Sequence, residues 1–63
     1  MTYEQIKQLF PENHDVYRFN GNINELQEVL TGRSISTITV QGQLYFVVVD
    51  YQSVPDDEKI IKI

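Results

Sequence analysis

From Leu44 to Tyr51 the chain reads Leu-Tyr-Phe-Val-Val-Val-Asp-Tyr, and its first six positions are apolar whichever way the side chains alternate. Successive side chains of a strand point to opposite faces of a sheet, so such a strand needs cover both above and below. The residues before it are mostly β-branched, with Ile35, Thr37, Ile38, Thr39 and Val40 leading into Gln41-Gly42. Two such runs joined by a short turn pair read as a tight hairpin. With Gln41 and Gly42 as the loop, Val40 faces Gln43, Ile38 faces Tyr45 and Ser36 faces Val47 on one side. Thr39 with Leu44, Thr37 with Phe46 and Ile35 with Val48 then share the other. Gln-Gly is a weaker turn signal than Asn-Gly, which leaves a one-residue slip of register open.

The rest of the chain supplies helices and two more strands. Thr2 followed by Gln5 has the form of a capping box, and Tyr3, Ile6, Leu9 and Phe10 recur at helical spacing, so residues 3–10 read as a short amphipathic helix stopped by Pro11. Residues 11–14 form a connection, and Val16, Tyr17 and Phe19 mark a strand over 15–20 that ends at Asn20-Gly21. Asn22 and Glu25 repeat the capping spacing, Ile23, Leu26, Val29 and Leu30 give a second helix, and Gly32 stands where a left-handed C-cap belongs. After a polar, proline-marked stretch, Lys59-Ile60-Ile61-Lys62-Ile63 reads as a terminal strand, placed at an edge by its two lysines.

The order helix, strand, helix and three strands is an α+β pattern. The simplest arrangement has two short helices packed on one face of a four-stranded, mainly antiparallel sheet, all within a single small domain over 1–63. The strand-helix-strand unit at 15–40 would add one parallel pair through a right-handed crossover.

Length and charge narrow the function. A 63-residue chain with no cysteine has neither a disulfide nor a thiolate metal site to hold it, so it rests on its core or on association. No apolar run approaches the roughly 20 residues that span a bilayer, and we expect a cytoplasmic protein without a membrane partner. Nine acids against five bases leave a net charge of −4, and Lys7, Arg18, Arg33, Lys59 and Lys62 are scattered singly, which disfavours a nucleic-acid backbone as partner.

Residues with reactive chemistry lack companions in sequence. His14, the single histidine, stands between Asn13 and Asp15 without a second catalytic group. Ser34, Ser36 and Ser53 lie in no glycine-flanked elbow. Asp56-Asp57-Glu58 with Asp50 nearby suggests a hard cation, but an EF-hand read from Asp50 would meet Pro55 and Ile61 where glycine and glutamate are required. Gly21, Gly32 and Gly42 are isolated, so no phosphate loop is present. We therefore expect no catalytic residue, no metal and no cofactor.

What remains is the doubly apolar hairpin. If both helices blanket one face, the other stays wet at about 25 cal/mol per Å² of apolar surface unless a partner covers it. One helix on each face would remove that need, but requires three layers from very few residues. The tyrosine-bearing face, with Ile38, Val40, Tyr45, Val47, Val49 and Tyr51, is the expected partner surface, since tyrosine tolerates being wet in one state and dry in another. The expectation is a non-enzymatic, regulatory or inhibitory interaction domain that self-associates or binds a protein through a sheet face or edge. Two alternatives are an acidic nucleic-acid mimic displaying Glu4, Glu12, Asp15, Glu25, Glu28 and the 56–58 cluster, and a single-strand binder stacking bases on Tyr17, Phe19, Tyr45, Phe46 and Tyr51.

Overall fold

The computed structural model describes residues 2–10 and 14–63. Its elements are α1 (Tyr3–Lys7), β1 (Tyr17–Phe19), α2 (Ile23–Val29), β2 (Ile35–Val40), β3 (Gln43–Val48) and β4 (Ile60–Lys62). The strands form one sheet in the order β2-β3-β1-β4, with every neighbouring pair antiparallel.

Both helices begin where their capping residues stand. Gln5 N–H donates to Thr2 Oγ1 at 3.2 Å and Thr2 N–H donates to Gln5 Oε1 at 2.8 Å, closing both arms of the capping box. Asn22 Oδ1 accepts from Glu25 N–H at 2.8 Å. Helix α1 is shorter than the spacing suggests: it ends at Lys7, and a turn through Gln8 and Leu9 brings Phe10 into the core. Pro11, expected to stop it, lies with Glu12 and Asn13 outside the described residues.

The hairpin register is the one that the turn pair and the alternation require, from Val40↔Gln43 through Ile35↔Val48. Gln41 at φ 50° and Gly42 at φ 79° both have left-handed backbone, as a two-residue type I′ turn demands. The expected parallel pair does not form. β3 lies between β1 and β2, because the tight turn fixes β3 beside β2 and the free side of β3 then takes β1 through Tyr17↔Phe46, Arg18↔Tyr45 and Phe19↔Leu44.

The placement of both helices on one face is also corrected. Phe19, Leu26, Leu30, Leu44, Phe46 and Val48 form one buried cluster, and Ile6, Phe10, Val16, Tyr45 and Val47 form another. Leu44, Phe46 and Val48 alternate with Tyr45 and Val47 along β3, so the clusters lie on opposite faces of the sheet. Helix α2 covers one and α1 the other, giving three thin layers. Phe19, the last residue of β1, faces the first cluster and hands directly to α2 through Gly21. Val16, an odd number of positions before it, faces the second, with α1. Each cluster buries one or more large side chains completely, which at roughly 1.5–3 kcal/mol apiece is sufficient reason for each face to keep its own helix.

Candidate functional site

The residues expected to form an open tyrosine-bearing face do not form one. Tyr45 is 7% exposed and Val47 is fully buried, both beneath α1, and Ile38 and Val40 pack half-buried against the same cluster. Val49 and Tyr51 are exposed but lie beyond the end of β3, and Tyr51 turns away with a left-handed φ of 59°. The face is closed because Ile6 of α1 and Phe10 of the turn that follows it serve as its cover.

What stays open is a border. β2 and β4 are the outermost strands, and they differ in kind. β4 is three residues long, with Lys59 just before it and Lys62 as its last residue, and their ammonium groups pair with Glu25 at 3.1 Å and Asp15 at 3.5 Å. Short, lysine-bearing edges resist further strand pairing. β2 is six residues long and carries no charge, proline or glycine. From Ser34 through Val49, across the whole hairpin, there is no charged residue at all.

The hydrogen-bonding sense of β2 follows from its first bond to β3. Val49 N–H donates to Ser34 O at 2.9 Å, so Ser34 belongs to a hydrogen-bonded pair. In an antiparallel ladder this alternates, which directs the backbone groups of Ser36, Ile38 and Val40 toward β3 and those of Ile35, Thr37 and Thr39 outward. Among the described residues no backbone or side-chain bond takes up these outward groups.

The start of the edge is held by Asp50. Ser34 N–H donates to Asp50 Oδ2 at 3.1 Å and Gln52 N–H donates to Oδ1 at 3.2 Å. The Ser34 bond is the main reason the Asp50 carboxyl lies below its ordinary range; desolvation, the next effect in size, opposes it, and the Gln52 bond and the nearby Arg33 charge add smaller lowering contributions. Arg33 Nε donates to Ser53 O at 2.6 Å, tying the following loop back to the strand's entrance.

The remaining candidates are dispersed. His14 stacks on Tyr51 with ring centroids 4.6 Å apart, and both line a cleft of about 130 Å³ with Asp15, Tyr17 and Val48. A second cleft of about 260 Å³ runs along Val54, Pro55, Asp57 and Ile60. Both are smaller than the roughly 300–1,000 Å³ typical of ligand pockets. Among the described residues no group of three or more His, Cys, Asp or Glu side chains could hold a metal ion, and no helix is long and apolar enough to cross a membrane. Phe19 and Phe46 are fully buried, so of the proposed base-stacking aromatics Tyr51 alone is well exposed among those described. Asp15 and Glu25 engage lysines and Asp50 engages backbone amides, while Glu12 lies outside the described residues.

No family model, curated protein or solved structure matches the chain.

Proposed function

We propose that this chain is a small non-enzymatic interaction domain that binds protein by adding a strand to the β2 edge of its sheet. The observation that carries the reading is the contrast between the two borders: β4 is short and bears Lys62 with Lys59 just before it, whereas β2 is long, neutral and, among the described residues, unpaired along its outer side. Natural sheets blunt a free edge when nothing is meant to pair with it. An edge left flat and uncharged is suited to β-augmentation, in which main-chain bonds supply affinity and alternate side chains supply selectivity. A regulatory or inhibitory role belongs to the same proposal, since such a domain acts by occupying a partner's strand.

A capped, lysine-flanked peptide of alternating threonine and valine tests this, followed by amide shifts and hydrogen exchange. We expect protection to appear at Ile35, Thr37 and Thr39 and not along β4. Protection confined to β4, or no change at saturating peptide, would overturn the reading.

A further inference from the structure

We propose that the strand added to this edge is β2 of a second copy, in an antiparallel pairing whose two-fold axis passes through Thr37. This inference rests on the edge-binding reading above and names its occupant. A symmetric pairing within one sheet needs a two-fold axis perpendicular to that sheet, so residues facing each other must point to the same side. Ile35, Thr37 and Thr39 share one side and carry the outward backbone groups. One register matches all three with all three: Thr37 against its own counterpart, and Ile35 against the second copy's Thr39 in both directions. It would form about six backbone hydrogen bonds, two for each facing pair. Moving the axis to Ser36 leaves the outward groups of Thr39 beyond the other strand's span, and moving it to Ile38 leaves those of Ile35.

The side chains agree with this register. Threonine facing threonine is a favourable cross-strand pair, and Ile35 covers the methyl of the opposing threonine. Ser36 falls opposite Ile38 on the second side. Charge points to a second copy over a foreign acidic or basic segment, because β2 offers nothing ionic to select one. None of the nine acids lies within the hairpin strands, and Asp50, which stands at the entrance of β2 against Ser34, is the one placed at the end of the seam; the repulsion between two chains of −4 is screened by salt. An edge seam is small compared with a standard interface, and we expect dissociation in roughly the micromolar range.

Sedimentation equilibrium of the intact chain, alone and as Thr37→Lys and Thr37→Glu, tests the proposal. The Thr37 side chain is exposed, so both variants keep the fold, checked by circular dichroism. We expect a dimer for the wild type that strengthens modestly with salt, monomers for each variant alone, and a dimer again when the two variants are mixed. Thr37→Pro, which removes an outward N–H and spares the β3 ladder, is expected to be monomeric as well. A wild type that stays monomeric at millimolar concentration while the peptide still protects Ile35, Thr37 and Thr39 would overturn self-pairing and leave the edge reading intact. A dimer unaffected by all three variants would overturn it too, by placing the seam elsewhere. Loss of both the dimer and the peptide effect would remove both readings.

Discussion

At the scale of single residues, the tightest demands fall on the hairpin turn. Gly42 adopts its φ of 79° without penalty, but Gln41 holds a left-handed φ of 50° with a full side chain. Asparagine tolerates that conformation better, so Gln41→Asn is expected to raise stability by about 0.5–1 kcal/mol, read as a higher midpoint in urea with an unchanged slope. The turn also explains why register was readable from sequence. Once two residues close the loop, the pairing of Ile38 with Tyr45 and Thr37 with Phe46 follows, and slippage by one would turn Phe46 and Val48 to the opposite face.

At the scale of elements, the hairpin, both caps and the lysine-flanked terminal strand were legible because each is written in local spacing. The side taken by α1 was not. It depends on how Ile6 and Phe10 meet Val16, Tyr45 and Val47, contacts that join residues up to some forty positions apart. A preference for two layers argued for a shared face, but a six-residue run apolar on both sides is itself the record of cover on both sides. The interaction site moves accordingly from face to edge. Val47 is fully buried beneath α1, so Val47→Glu places a carboxylate in the core and is expected to abolish folding in a domain stabilised by only a few kcal/mol. Val49→Glu, at an exposed position, should change stability by less than about 0.5 kcal/mol. Thermal melts by circular dichroism distinguish them, and a folded but dissociated Val47→Glu chain would contradict the closed face.

At the scale of the whole molecule, pH acts through the group that fastens the start of β2. The Asp50 carboxyl lies below its ordinary value of 3.8 chiefly because Ser34 N–H donates to it. A folded-state value depressed in this way stabilises fully above the unfolded value and is lost as pH falls through the folded one. The wild type should therefore lose stability below about pH 4 more steeply than Asp50→Ala, as followed by urea midpoints across that range. The chain roofs both faces of its sheet with its own helices and, among the described residues, leaves the outer side of β2 as the open border. Residue-resolved hydrogen exchange on the dilute, monomeric chain tests this arrangement most directly. Slow exchange is expected at Ser36, Ile38 and Val40 and along β3 from Gln43 to Val47, with fast exchange at Ile35, Thr37 and Thr39. Equal exchange at odd and even positions of β2, or rapid exchange at Tyr45 and Val47, would contradict it.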